Sequence, residues 1–500
     1  MLKKPTVRIK NFLFTLLTVS FLIFGCSEPA KNIIRFGVSS APLNLDPRYA
    51  TDAVSSRINR LIYQRLVDFK GAFTPVPSLA NWRVVSPTHY RLSLLDSGVR
   101  FHTGEPLRAE DVKATYDFIL DADHGSPHRT TLSLIDSIVV VDKNTIDFYL
   151  KKPDPLFPSY LVIGILPAEL IEKQHPFHNR PVGSGGFRFQ NWNVENRLQL
   201  KRIADNQLFE FIAISQPTVR VLKLLRGEID LTQNELPAEL IKYIEKRHDM
   251  VVRRNPGSTF TYLGFNSQDE IVGQQKLRLA IAHAVNRKEI IHYLFAGSAR
   301  LASSILAPEH WAGNSSLIEY PYNPKKAKAL MAELGYSVDH PVTINYKTSS
   351  DPFRIRLATI FQSQLAQIGI QLRIHSYDWG TFYGDIKSGN FQMYSLSWVG
   401  IKTPDIFRYV FHSQSVPPNG ANRGRYTNAK VDEFIEKAQF EPSPQLQSKY
   451  YQELQGILFK TLPYVPLWYE GHVYISNRNI KGYKLNLLGN YDGLYSIKKE

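Results

Sequence analysis

Residues 258–268, STFTYLGFNSQ, and 275–297, QKLRLAIAHAVNRKEIIHYLFAG, decide how the rest of the chain is read. The first stretch is rich in β-branched and aromatic residues, which suits a strand, and Asn266 to Asp269 are turn formers that stop it. In the second, Leu277, Ala280, Ile281 and Ala284 recur at helical spacing and give one apolar face for packing against a sheet. Asn286 ends that helix and can cap another, with Glu289 reaching back in capping-box fashion and Gly297 placed to stop the helix after Phe295. Strand, loop, helix, helix in mid-chain marks the point where the polypeptide crosses from one α/β lobe to another.

Five hundred residues exceed what one core usually supports, so two or three compact units are expected. The composition is ordinary for a globular chain, with 43% hydrophobic and 21% charged residues. The first eleven residues, MLKKPTVRIKN, carry four basic side chains and no acid, and the uncharged run FLFTLLTVSFLIF behind them is too short for a typical membrane span. Residues 1–25 therefore read as a secretory signal. Its end, Ile23-Phe24-Gly25-Cys26, resembles the lipobox of bacterial lipoproteins, which makes Cys26 a lipidation site; the bland alternative is an incidental cysteine. Cys26 is the only cysteine, so no disulfide can form within the chain. Loss of residues 1–25 would leave 56 Lys and Arg against 45 Asp and Glu, a formal charge of +11. Export argues against nucleic acid as the partner of that surplus, and the positive charges are spread among acids as on a solvated surface.

Several strings share an order and spacing. Near the start LNLDPRYATDAVSSRINRLIYQRLVDF (43–69) sets a loop before a helix with Ile58, Leu61, Ile62, Arg65 and Leu66 on one stripe. PVPSLANW (75–82) and GVRFHTGEPLRAEDV (98–112) come next, the latter leading into an amphipathic helix over Ala109 to Leu120. PVGSGGFRFQNW (181–192) lacks the Lys-Ser/Thr of a phosphate loop and reads as a tight turn before a strand. VLKLLRGEIDL (221–231) is a helix stopped at Gly227, and YNPKKAKALMAELGY (322–336) is one started by Asn323-Pro324 and stopped by Gly335. Phe353 to Ile368 is a further helix and IQLRIHSYDW (370–379) the strand behind it. Together with FNSQ and the helix pair, these strings resemble the extracytoplasmic peptide- and nickel-binding family of ABC-importer subunits, over residues 33 to 484.

The resemblance implies an α/β, two-lobed periplasmic-binding-protein fold, type II, of the large peptide-binding class with an extra N-terminal subdomain. The expected division is 26–48, 183–262 and 475–500 for lobe I, 49–182 for the extra subdomain and 263–474 for lobe II. It implies a ligand cleft near Thr51, Asp52 and Asn266, although Asp52 reads equally as a helix N-cap and Asn266 as a turn closer. In FQMYSLSWVGIKTPDIFRYVFHS (391–413) a strand breaks after Trp398 into a loop, Val399, Gly400, Ile401, Lys402, where a ligand is expected beyond the carboxyl end of a strand. Family members place there an Asp that pairs with a peptide's amino terminus; this chain has Ile401 and Lys402 instead, and Asp405 falls too late. An unmatched buried ammonium costs several kcal/mol, roughly, so a free amino terminus is a poor ligand feature here. Lys402, Arg423 and Arg425 can instead meet an anionic ligand, or stand as solvated charges on a rim. The closing string LPYVPLWYEGHVYISNRNIKGY (462–483) returns to the first lobe, its prolines suiting a connecting ribbon rather than a central strand.

The function implied is capture of a peptide or peptide-like small solute by a lipid-anchored monomer that delivers it to an ABC permease and ATPase, in the periplasm or its extracytoplasmic equivalent. An orphan surface sensor or adhesin binding an anionic or N-blocked solute is the alternative. No cofactor, metal or nucleic acid is expected. His102 has no second ligand at metal-site spacing, and HGSPH (124–128) and HPFH (175–178) lack the helical spacing of a zinc pair. With no free cysteine and no nucleophile elbow, an enzyme is not expected.

Overall fold

Two long antiparallel strands, Met250–Phe265 and Tyr464–Asn477, run through the middle of the molecule and belong to both of its lobes. The computed structural model describes residues 33–70, 73–95, 98–193, 195 and 197–500, so the expected signal segment 1–25 and Cys26 lie outside the described residues. One end of the strand pair is flanked by Leu231–Gln233, then Ile33–Val38, Leu208–Ala213, Arg197–Arg202 and Phe187–Trp192. The other end is flanked by Met393–Trp398, then Val342–Ser349 and Ile370–Tyr377, with Ala299–Leu301 added on Tyr464–Asn477. The inner strands of each lobe are parallel, Ile33–Val38 to Leu208–Ala213 in one and Val342–Ser349 to Ile370–Tyr377 in the other. This is an α/β, two-lobed architecture.

The crossing is marked in the backbone. The ladder between the two long strands skips from Asn255 to Thr259, and Gly471 lies opposite this break. A Cβ on Gly471 would stand 1.9 Å from the Ser298 carbonyl oxygen, and one on Gly257 would stand 2.1 Å from that of Glu470, so only glycine allows these approaches. Phe260, Tyr262, Trp468 and Tyr469 pack in the cores of the second lobe, whereas Val473, Tyr474 and Ile475 pack in those of the first. The expected boundaries at 262 and 474 are therefore corrected to the bulge at Pro256–Ser258 and to Glu470–Gly471. The closing segment is corrected as well: Tyr464–Asn477 is a central strand. It accommodates Pro466 because the register skips there, Thr261 facing Trp468 and Tyr262 facing Pro466, so the missing N–H falls at an irregularity.

A third core lies apart from the large sheet. Ala80–Ser86, His89–Leu94, Thr145–Leu150 and Ile135–Asp142 form a four-stranded antiparallel sheet covered by the helix Ala109–Leu120. Its buried cluster runs from Leu66 to Ile165. The expected subdomain, 49–182, is too wide. Val54, Ile58, Leu61 and Ile62 of the helix Ala53–Ile62 pack with Ile34, Phe36, Phe209 and Phe211, as do Leu166 and Phe177, because the apolar stripe of that helix fits the large sheet. The glycine-rich turn at 183–186 secures this packing. Gly185 N donates to Ile62 O at 2.7 Å, and a Cβ on Gly183 would meet the same oxygen at 2.2 Å. His102 is fixed to that turn through Nε2 and the Gly185 carbonyl at 2.9 Å, a structural role.

The mid-chain helices form as Gln275–Ala284 and Arg287–Leu294. Asn286 caps the second by accepting from Glu289 N, and Glu289 reaches back to accept from Asn286 Nδ2 at 3.0 Å, while the Asn286 backbone N–H goes to Gln364 Oε1. The two arginines of the pair are buried, and among the described residues neither pairs with a carboxylate. Arg278 donates to the carbonyls of Val272, Gly273, Thr461 and Leu462, stapling a turn to the end of the helix Pro444–Thr461. Arg287 takes the carbonyls of Pro466 and Tyr320. Burial pushes both guanidinium groups down to about 10.

Candidate functional site

A cavity of about 230 Å³ lies between the lobes. Its first wall comes from the loop after Ile33–Val38, from the helix Ala53–Ile62 and from Val162–Gly164, and its opposite wall is Lys402. The helix is positioned by Asp52, whose carboxylate accepts from Ser55 N at 2.8 Å, and its last turn carries Arg60 into the cavity, with Arg65 following three residues past its end.

Arg60 is fully matched. It donates to both oxygens of Asp68 at 2.8 and 2.7 Å and to Asp492 Oδ1 at 2.7 Å. Burial opposes its charge, but these carboxylates more than offset that and hold its pKa above the usual arginine range. Arg65 is not matched. Among the described residues its Nε is buried without a hydrogen-bond partner, its Nη2 reaches Arg60 O at only 3.5 Å, and its ion pair with Asp68, already held by Arg60, is long at 3.9 Å. Burial, then the neighbouring Arg60, push it down to about 10.

Lys402 is half-buried, and among the described residues its ammonium makes no hydrogen bond or ion pair; it stands 5.6 Å from the centre of the Phe69 ring. Burial first, then Arg65 and Arg60, push its pKa down to about 8, with Asp68 and Asp492 opposing. Its backbone is held by His310 Nε2 at 3.2 Å from Lys402 O, and the His310 ring stacks on Phe73 of the first lobe at 5.2 Å. Arg356 reaches Glu239 across the lobes at 2.9 Å. These contacts belong to a closed arrangement.

The other expected ligand residues lie elsewhere. Asp52 is an N-cap, and Thr51 is exposed beside it; neither lines the cavity. Asn266 closes its turn, donating through Nδ2 to Gly389 O at 3.3 Å and accepting from Gln268 N at 3.1 Å. Ile401 is buried in the core of the second lobe, leaving Lys402 as the residue of this loop that lines the cavity, while Val399 is 61% exposed and Gly400 turns with φ +71. The grouping of Arg423 and Arg425 with Lys402 is corrected. Arg423 is buried over the Trp398 ring at 4.8 Å and donates to the hydroxyls of Tyr262 and Tyr383 at 3.3 and 3.0 Å, an aromatic enclosure within the second lobe that occupies its guanidinium away from the cavity. Arg425 donates to Arg423 O and to Ser388 O at the end of the helix Trp379–Ser388.

Arg60 and Arg65 were hidden in the sequence, where Arg65 sits on the apparent apolar stripe and the partners of Arg60 include Asp492, 432 residues away. A second interlobe cluster also lacked a signal. Asp154 of the first lobe accepts from Leu156 N at 2.9 Å and from the Tyr160 hydroxyl at 3.3 Å; burial, with Asp405 of the second lobe adding to it, pushes its pKa up to about 6. Burial raises Asp405 as well. Among the described residues no group of His, Cys, Asp and Glu could hold a metal ion, and no helix is long and apolar enough to cross a membrane.

The family model of bacterial extracellular solute-binding proteins, family 5, middle region, matches residues 75–418. Di/tripeptide-binding protein 2 of Pseudomonas aeruginosa is 26% identical, over 95% of this chain and 96% of its own. Heme-binding protein A of Haemophilus influenzae is 27% identical, over 94% and 92%. Among solved structures, the ABC transporter-associated periplasmic binding protein of Helicobacter pylori in complex with the peptide STSA superposes with a TM-score of 0.77 at 26% identity, over 94% of this chain and 98% of that one.

Proposed function

This chain belongs to the bacterial extracellular solute-binding proteins of family 5, and from that membership we propose that it is the lipid-anchored, extracytoplasmic substrate-binding subunit of an ABC importer. It captures a peptide or peptide-like solute between its lobes and hands it, as a monomer, to a permease. The observation that carries the reading is the cavity whose walls come from both lobes, with Lys402 on one side and Arg65 and Gly164 on the other. A solute touching both walls interacts differently with the open and closed forms, and that difference is what drives closure. The relatives support a peptide-sized ligand, one named for di- and tripeptides and one solved with a peptide bound. The volume, about 230 Å³, falls below the roughly 300–1,000 Å³ of drug-sized sites and suits a solute of about two residues. Cys26 supplies the anchor that keeps such a protein near its permease. No catalytic step, metal or cofactor enters this reading.

Purification from the native host, denaturation and mass spectrometry of what is released test it. One peptide-sized solute near one-to-one stoichiometry is expected. Release of nothing, together with no rise in melting temperature on adding a pool of di- and tripeptides, would overturn the reading.

A further inference from the structure

The cavity has a charge to settle, and its sign names the ligand. Among the described residues three cations, Arg60, Arg65 and Lys402, line it, and no Asp or Glu does. Behind the wall stand two carboxylates, Asp68 and Asp492, and both are engaged by Arg60 at 2.7–2.8 Å. Among the described residues one positive charge is left over in this group, shared between an arginine whose Nε is buried without a hydrogen-bond partner and a lysine whose ammonium stands over an aromatic ring. Unmatched charge at a buried place is costly, and a free ammonium brought there would add to it.

We propose that the captured solute presents a carboxylate to Arg65 and Lys402, one from each lobe, so that the anion itself clasps the cleft shut. The inference rests on the solute-capture reading above. A single carboxylate neutralises the surplus, whereas a dianion would overshoot it. Arg65 offers a planar fork and Lys402 a point charge, so the anion is oriented by the first and locked by the second. An amino-terminal ammonium is disfavoured at this place.

Three peptide pools of the same dipeptide composition provide the probe: N-acetylated acids, N-acetylated amides and free-amine amides. Each is screened by thermal shift, and the strongest binder and its counterparts are then measured by calorimetry. The acetylated acid is expected to bind about tenfold or more tighter than its amide, as for a charge-assisted pair. Lys402→Met should remove most of that preference, and Lys402→Arg should retain it. Circular dichroism and the ligand-free melting temperature check that each variant is folded, and Arg65→Met provides an independent second test. Equal binding of acid and amide, or tightest binding by the free-amine amide, would overturn the proposal alone. Silence of all three pools and of unmodified di- and tripeptides would defeat the capture reading, and the proposal with it.

Discussion

Asp52 holds the first turn of the helix that carries Arg60, through one bond of 2.8 Å to Ser55 N. Asp52→Ala should therefore lower stability by about 1 kcal/mol, as measured by urea unfolding, and leave solute affinity unchanged. A large loss of affinity with normal stability would return Asp52 to the ligand site. Asp154 supports a pH prediction. Its pKa in the folded, closed protein is about 6, above the ordinary aspartate value, so the folded form holds a proton more tightly than the unfolded chain does. The stability this gives is complete below about pH 4 and is lost as pH rises through 6. Asp405, raised in the same sense by burial, faces Asp154 together with Tyr160, Tyr451 and Lys152, and Arg408 faces Asp405. Asp154→Asn keeps an acceptor for Leu156 N and should make the protein less sensitive to the change from pH 5 to pH 7.5, by roughly 1.4 kcal/mol relative to wild type. Parallel melting curves of the two proteins at both pH values check it; identical pH slopes would rule it out.

At the scale of elements, the helices were legible because their stop and start signals are local. Asn323-Pro324 opens Pro324–Glu333, Gly335 with φ +82 closes it, and the stripe Leu277, Ala280, Ile281, Ala284 is buried throughout. The strand Tyr464–Asn477 was misread because what makes it central is its pairing with Met250–Phe265, which the local pattern around two prolines does not record. Arg278 shows the same limit. Its place in a helix motif was visible, but its partners are carbonyls at 272–273 and 461–462, brought together only by the fold. Arg278→Met should leave four carbonyls, two of them fully buried, without this donor and cost about 3 kcal/mol, measured by chemical denaturation. A cost below about 0.5 kcal/mol, the scale of an ordinary surface substitution, would contradict the stapling role.

On the scale of the whole molecule, the two-lobed class followed from the order of strings along the chain, while the site did not. Lys402 was named from its loop, yet the groups that set its environment come from residues 60, 65, 68 and 492, and the two arginines grouped with it turned out to hold the second lobe together. A cleft is made of residues far apart in sequence, so charge matching across it cannot be read from spacing. The lobes meet through Lys402 at the cavity, His310 on Phe73 and Arg356 on Glu239, all contacts that separate if the crossing at Gly257 and Gly471 opens. Small-angle X-ray scattering of the protein stripped of solute by denaturation and refolding, then titrated with the solute identified from its native host, tests that closure most directly. The radius of gyration should fall on binding toward the value of the closed structure and rise again when solute is removed; the same radius with and without bound solute would contradict capture by closing lobes.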